Sequence, residues 1–425
     1  MHFTKVSKLN GEITIPGDKS ISHRAIMLGA LSKGTTEVSN FLQGADCLST
    51  IDCFRRMGID INNTANSVTI KGKGLLGLTK PSQILDVGNS GTTTRIMSGI
   101  LAAQSFETSL TGDTSIQKRP MGRIIEPLSL MGASITSINN NGCAPLLIRG
   151  SKLNGIHYIS KVASAQVKSA ILLAGLFAEG ETSVSEPSVS RNHTEIMLKY
   201  FGGSIKTLGT TATVTPNPVL TGQKVTVPGD ISSAAYFIVA GLIVPNSELL
   251  IKNVGINPTR DGIIRVCQQM GGDITLLNIN DKNGEKTADI LVKSSELTGI
   301  EIGGSIIPTL IDELPIISVL ACFAKGKTMI KDAAELKVKE SNRIDVCVNN
   351  LSAMNANVKA TDDGMIITGG RSLHAAVLDS KLDHRIAMSF AVAGLMADGT
   401  TTIKNSECVN ISYPTFYSDL AKLHA

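Results

Sequence analysis

The chain contains no tryptophan, aromatic residues make up only 4% of it, and charged residues 18%, with a formal net charge of +4. So little aromatic surface offers few platforms for stacking bases, and the lysines and arginines form no basic run, so nucleic acid is not an expected partner. The seven cysteines are scattered, with no Cys-x-x-Cys pair and no histidine at metal-ligand spacing. That excludes the usual structural metal patterns and a disulfide framework, and the thiols read as reduced packing residues of a cytoplasmic protein. No apolar run reaches membrane-spanning length, and Met1-His2-Phe3-Thr4-Lys5-Val6 resembles neither a signal peptide nor a transit segment. Neither a membrane partner nor export is expected.

What the chain has is 42% hydrophobic content over 425 residues, enough for cores in about two or three domains. One pattern recurs along it: a small-residue apolar helix, a Gly or polar turn, then a Thr-rich strand. The copies are Ile21–Leu31 with Thr35–Val38, Thr92–Leu101 with Phe106–Leu110, Gln166–Phe177 with Glu181–Ser185, Ser233–Ile243 with Glu248–Ile251, Glu313–Phe323 with Thr328–Ile330, and Arg385–Met396 with Thr400–Ile403. Roughly 65–80 residues separate successive copies, so each is a supersecondary module rather than a solenoid turn. Gly34, Gly180, Gly326 and Gly399 stand just past their helices, as C-cap glycines do. Second helices such as Cys47–Met57 and Ile263–Met270, and strands such as Val68–Lys71 and Met365–Thr368, fill the intervals.

Above this repeat lies a longer one. Ile13-Thr14-Ile15-Pro16-Gly17-Asp18 is echoed by Val225-Thr226-Val227-Pro228-Gly229-Asp230, each followed closely by Ser and an apolar helix. The chain therefore reads as a duplication with three modules per half. The expected domains are residues 17–227, and residues 1–16 with 228–425, the chain crossing between them at the two Pro-Gly-Asp stretches. Helices apolar on all sides belong in the cores, with sheets outside them.

Polar and charged residues gather where the repeated helices begin. They include Lys19, Ser20 and Arg24; Gly91 and Arg95; Ser164, Ala165, Gln166 and Lys168; Ser232 and Ser233; Asp312 and Glu313; and His384 and Arg385. Unpaired amides at a helix start favour carboxylate or phosphate, and Lys or Arg nearby adds charge and a bidentate fork. A substrate bearing several negative charges would suit such a set, although N-capping explains the Ser, Thr and Asp positions equally well and is the better account of Ser232 and Ser233. Further cations lie in Gln117-Lys118-Arg119-Pro120, in Arg191-Asn192-His193-Thr194-Glu195 and in Lys337–Arg343. In a helix, Lys339 and Arg343 would share a face, with Glu340 beside Arg343.

These motifs together identify a resemblance. Gly17-Asp18-Lys19-Ser20-x-x-x-Arg24, Asn89-Ser90-Gly91-Thr92-x-x-Arg95, Lys118-Arg119-Pro120-Met121, Ser164-Ala165-Gln166-x-Lys168, Pro308-Thr309-x-x-Asp312-Glu313-x-Pro315, Lys339-Glu340-Ser341-x-Arg343 and Asp383-His384-Arg385-Ile386-Ala387-Met388 occur in the order and approximate spacing of the 5-enolpyruvylshikimate-3-phosphate synthase family. The chain resembles that family along essentially its whole length. The resemblance implies an α/β fold of two similar domains, each of three βαβαββ units with buried helices and outer sheets, closing on substrate like jaws.

It also implies the reaction: the enolpyruvyl group of phosphoenolpyruvate moves to the 5-hydroxyl of shikimate 3-phosphate and phosphate leaves, with no metal or organic cofactor. The resemblance assigns Lys19, Arg95, Arg119, Arg343 and Arg385, with His384 nearby, to phosphoenolpyruvate, and counts Gly91 among the substrate-binding residues. It assigns Ser20, Arg24, Ser164, Ala165, Gln166, Arg191 and Lys339 to shikimate 3-phosphate. Addition to the enol needs a base, for which Asp312 is the natural group, and an acid, Glu340 or Lys19. A monomer acting on small molecules is expected.

Two departures accompany the match. Ile411 stands where some members carry a lysine near the C-terminus, so no C-terminal phosphate ligand is nominated. Ser-Ala-Gln-x-Lys and Arg-x-His-x-Glu are similar to members less sensitive to glyphosate, whereas Gly91 is usual in sensitive ones. UDP-N-acetylglucosamine enolpyruvyl transferase shares the chemistry, but its loop cysteine is replaced here by Thr114. A non-catalytic anion-binding scaffold is the alternative from another class, and it gives no reason for Asp312 and Glu340 to sit among the cations.

Overall fold

Each apolar repeat is a helix that starts at a polar cap and is buried along most of its length in the computed structural model, which describes residues 1–65, 67–282 and 284–424. The repeated helices are α1 (Lys19–Leu31), α2 (Gly91–Leu101), α3 (Ala165–Gly175), α4 (Ile231–Ile243), α5 (Leu314–Cys322) and α6 (His384–Gly394). Asp18, Ser90, Asp230 and Asp383 cap α1, α2, α4 and α6 by accepting amide N–H bonds from Ile21, Thr93, Ser232 and Arg385. Such caps each contribute about 1 kcal/mol. Because capping of α4 falls to Asp230, the Ser232 hydroxyl is released from the role that its position suggested.

The chain divides into two compact units: an inserted unit, Gly17–Val227, and a terminal unit formed by Met1–Pro16 and Pro228–Ala425. In the inserted unit every repeated helix is followed by the central strand of a four-stranded sheet. Lys33–Ser39 runs parallel to Lys224–Thr226 and antiparallel to Ser67–Lys73, which pairs with Asp60–Asn63. The same order recurs around Glu107–Thr111 and around Thr182–Ser185. The parallel partner of the first sheet comes from the far end of the unit, which closes the three modules on one another.

The terminal unit repeats this order around Glu248–Gly255 and Lys327–Ile330, with Asn10–Thr14 as the parallel partner of the former. Its third sheet has three strands, because His2–Thr4 pairs antiparallel with Thr400–Lys404 where a hairpin would otherwise follow. Each unit has its own core, with α1–α3 inside one and α4–α6 inside the other. Small side chains on the buried helices let the sheets approach: a Cβ on Gly175 would lie 2.7 Å from Thr182 Cβ, so alanine there would push the strand away. In the terminal core Tyr236, Phe237, Tyr413 and Tyr417 pack around Phe416 with ring centroids 5.4–5.7 Å away.

Two local expectations change. Gly34, Gly180, Gly326 and Gly399 have the positive φ expected of them, 89° to 101°, but they stand three to five residues beyond the helix ends, Gly34 within the strand Lys33–Ser39 and the other three just ahead of the strand that follows. Lys339 and Glu340 are not in one helix with Arg343. A short 3₁₀ turn ends at Val338, and the next helix, Arg343–Ala353, starts afresh because Asn342 caps it by accepting from the Asp345 amide. Glu340 meets Arg343 all the same, across the cap.

Candidate active site

In the inserted unit the cations rest mainly on neutral partners. Arg24 is 2% exposed and donates to Thr194 Oγ1 (2.6 Å), Ser169 Oγ (2.7 Å) and its own turn at Ser20 O (3.0 Å). It thereby ties the start of α1 to α3 and to the helix His193–Tyr200. Arg191 then reaches Ser20 Oγ at 3.2 Å. Arg95 Nη1 donates to Gln166 Oε1 (2.7 Å), and Gln166 Nε2 donates to Thr92 Oγ1 (3.1 Å), so one amide joins the starts of α2 and α3. Arg119 is held by Asn89 Oδ1 (2.8 Å) and Ser115 Oγ (3.0 Å).

Gly91 explains why two of these guanidiniums share a locality. A Cβ placed there would lie 3.0 Å from Arg95 Nη1 and 3.3 Å from Arg119 Nη1. The bare backbone leaves room for both cations at the start of α2. Lys19, by contrast, pairs with Asp46 at the start of the helix Ala45–Arg56.

Below these groups lies a charge cluster away from solvent. Lys168 Nζ contacts Glu186 Oε2 (2.9 Å), Glu195 Oε1 (2.7 Å) and Ser190 O (3.2 Å), with all three charged side chains at most 6% exposed. Glu186 in turn accepts from the Ser164 amide at 2.9 Å and from the Ser190 hydroxyl at 2.9 Å. Ser164 and the segment leading to Arg191 are thus set by one carboxylate.

His23 contributes a second internal link. Its Nδ1 lies 2.7 Å from Thr50 Oγ1, which is 2.7 Å from Thr93 Oγ1, which donates to the cap residue Ser90 over 2.7 Å. Burial, with Lys19 and Arg24 nearby, holds the imidazole well below its ordinary value, so it serves as a neutral bridge.

In the terminal unit the cations rest on carboxylates. Asp312 has Arg343 Nη1 at 3.4 Å, Lys339 Nζ at 3.5 Å and Arg385 Nη2 at 3.7 Å. Arg343 is 1% exposed and also binds Asp383 (2.8 Å) and Glu340 (2.6 Å). Its burial opposes the charge, but Asp383 and Glu340 outweigh that and hold it above its ordinary value. Arg385 behaves likewise, with burial overcome by Asp312 and Glu313 among its neighbours. Asp383 has three tasks: it caps α6, fixes Arg343 and accepts from Ser341 Oγ at 3.0 Å. His384, the first residue of α6, is buried.

A family model described as EPSP synthase (3-phosphoshikimate 1-carboxyvinyltransferase) matches residues 3–420. The chain belongs to the EPSP synthase family. The 3-phosphoshikimate 1-carboxyvinyltransferase of Thermoanaerobacter sp. strain X514 is 59% identical over 409 residues, 96% of each chain. The EPSP synthase structure from Acinetobacter baumannii superposes with a TM-score of 0.89 at 45% identity, covering 100% of this chain and 98% of that one. The enolpyruvyl transferase NikO from Streptomyces tendae shares the fold, with a TM-score of 0.82 over 99% of this chain and 96% of that one at 16% identity. The two-domain inside-out architecture of buried helices and outer sheets is therefore that of EPSP synthase, and the chain is an enzyme of this transferase class acting on small molecules. No helix among the described residues is long and apolar enough to cross a membrane.

The structure gathers the sequence-nominated residues within each unit. Lys19, Ser20, Arg24, Gly91, Arg95, Arg119, Ser164, Ala165, Gln166 and Arg191 lie in the inserted unit; Asp312, Lys339, Glu340, Arg343, His384 and Arg385 lie in the terminal unit. Among residues that the sequence left without a role, Asp46 holds Lys19, Glu186 holds the Ser164 amide and Asp383 holds Arg343, while Glu195 and Arg260 lie one contact further out, on Lys168 and Glu313. A detectable signal did exist for Asp383, which stands beside His384 in the matched motif. Arg260 gave none, because its partners Asp230 and Glu313 are 30 and 53 positions away. No two of the seven cysteines form a disulfide, and burial pushes the Cys322 and Cys347 thiols up to about 12, which keeps them protonated and unreactive.

Proposed function

We propose that the chain carries out the family reaction, transferring the enolpyruvyl group of phosphoenolpyruvate to the 5-hydroxyl of shikimate 3-phosphate, with the work divided by how each cation is held. The carrying observation is Asp312, one carboxylate with three cations within 3.7 Å. Asp312 takes the proton of the attacking hydroxyl, while Glu340 or Lys19 delivers one to C3. Addition forms the bond from the 5-oxygen to C2 of the enol and places the proton on C3. Elimination then returns a proton from C3 to the group that supplied it, breaks the bond from C2 to the phosphate oxygen and restores the double bond between C2 and C3; inorganic phosphate leaves, carrying the proton taken from the hydroxyl.

The two substrates carry carboxylate and phosphate groups, and guanidiniums bind both as planar forks. Arg119, Arg95 and Lys19, with Arg343 and Arg385, take phosphoenolpyruvate, with His384 and Gly91 alongside. Ser20, Arg24, Ser164, Ala165, Gln166, Arg191 and Lys339 take shikimate 3-phosphate. Arg24 acts there chiefly by holding Ser20, since Nε, Nη1 and Nη2 all donate to protein groups. No metal or organic cofactor has a task in this scheme. The enzyme acts in the cytoplasm as a monomer and needs no nucleic acid.

The test is phosphate release from phosphoenolpyruvate with shikimate 3-phosphate or UDP-N-acetylglucosamine as acceptor. Release is expected with the former alone. Turnover with the sugar nucleotide, or with neither acceptor, would reject the proposal. Thr114 replaces the reactive loop cysteine of the rival transferase, so fosfomycin, which alkylates that thiol, is expected to leave activity and mass unchanged.

A further inference from the structure

Glu313 immediately follows the proposed base, precedes α5 and is 2% exposed. A carboxylate withdrawn from water to this degree is tolerated only where partners offset its desolvation. Its Oε1 is the meeting point of several elements. Ser232, in the first turn of α4, donates its hydroxyl to it; Arg260 Nη2 lies 3.6 Å away and Arg385 Nη1 3.7 Å away. Arg260 is itself 3% exposed, donates to Ser232 Oγ and pairs with Asp230 at 3.4 Å. A directed chain runs from Arg260 through Ser232 to Glu313, with Arg385 facing its end.

We infer that Glu313 is a positioning residue for Arg385, with Ser232 and Arg260 as its anchors; the inference rests on the assignment of Arg385 to phosphoenolpyruvate. The distances carry the argument. At 3.7 Å the carboxylate attracts the guanidinium without accepting a hydrogen bond from it, and its near oxygen accepts from Ser232. Arg385 Nη1 donates instead to the Asp312 carbonyl at 3.3 Å. One edge of the guanidinium is thereby oriented by protein, while Nη2, 3.7 Å from Asp312 Oδ2, and Nε make no hydrogen bond to a protein acceptor among the described residues and are left for substrate oxygens. Without its anchors, the Glu313 carboxylate would turn onto Arg385 and occupy donors that the substrate needs. Without its charge, the guanidinium would lose the element that aims it.

The experiment compares Glu313→Gln, Ser232→Ala and their combination in the full chain, using steady-state kinetics for both substrates and calorimetric binding of shikimate 3-phosphate alone. Glu313→Gln is expected to raise KM for phosphoenolpyruvate by on the order of tenfold, with kcat changed by less than about threefold and shikimate 3-phosphate affinity unaltered. Ser232→Ala should shift the same constant less. The double variant should be no worse than Glu313→Gln, because the serine acts through the carboxylate. An unchanged KM in folded Glu313→Gln, equal weakening of both substrates, a collapse of kcat alone, or full additivity would each overturn the inference. If Glu313→Gln does not fold, the KM shift in Ser232→Ala decides by itself. Arg385→Lys is the control: if it leaves KM for phosphoenolpyruvate unchanged, the assignment of Arg385 has failed rather than the role of Glu313.

Discussion

The two units hold their site arginines differently. In the inserted unit Arg24, Arg95 and Arg119 donate to hydroxyls, amide oxygens and carbonyls of their own unit, groups that orient a guanidinium without neutralising it. In the terminal unit Arg343 and Arg385 are embedded among Asp312, Glu313, Glu340 and Asp383, which neutralise as they orient. A neutral cradle keeps its attraction for an incoming anion, and a carboxylate cradle creates acid and base groups beside the cations. Duplication therefore yielded one framework used for two purposes. The charged links near the first helix of each unit also differ: Lys19 on α1 meets Asp46 of the helix Ala45–Arg56, whereas Asp230, the cap of α4, meets Arg260, which lies just ahead of the helix Gly262–Gln269.

If this division holds, removing the acid and base groups of the terminal unit should act on turnover, and substitutions in the inserted unit on binding or folding. The largest effect is expected for Asp312→Asn, which keeps size and removes the proton acceptor. Turnover should fall by about 10²–10⁴-fold with little change in melting temperature. A KM defect at near-normal kcat would break the comparison at its strongest point.

Lys168→Met leaves Glu186 and Glu195 buried without their cation, which should cost about 3–5 kcal/mol. The cost should appear as an earlier denaturant transition. Adding Glu195→Gln should recover part of it by removing one uncompensated charge. No recovery would mean that Lys168 matters for packing rather than for charge.

Gly91→Ala sharpens the contrast at lower amplitude. The new methyl presses on the ends of two flexible side chains rather than on backbone, so the fold should survive while Arg95 and Arg119 shift. KM for phosphoenolpyruvate should rise by about tenfold, with binding of shikimate 3-phosphate kept. Parallel losses for both substrates would argue against a local effect.

The smallest expected effect concerns His23, which is held well below its ordinary value of 6.5 in the folded protein. Between those two values the unfolded chain binds the additional proton. Stability thus rises with pH through the window, is fully present above about 6.5, and is lost as pH falls toward the folded value. His23→Asn should make unfolding less pH-dependent below 6.5, by at most about 1.4 kcal/mol per pH unit. An identical slope in both proteins would mean that His23 titrates normally.

Much of the framework was legible because it is written in local patterns. The repeated helices begin within about two residues of the apolar runs that announced them, since caps and periodicity are short-range signals. The helical geometry expected for Lys339–Arg343 does not form because Asn342 offers a competing cap, itself a local signal. Ser232 misled for another reason: Asp230 is the stronger cap, and the hydroxyl it displaced found a carboxylate 81 positions away.

By itself the sequence determined the six modules, their duplication and the family, and with the family the reaction, because all of these depend on order and spacing along one chain. Tertiary structure alone decided which partner each charge would have: Gln166 for Arg95, Glu186 and Glu195 for Lys168, Asp383 for Arg343, Glu313 for Arg385. Those pairings span tens of residues and depend on distances of a few ångströms. Electrostatic energy at that range varies steeply with separation and burial, neither of which spacing along a chain specifies.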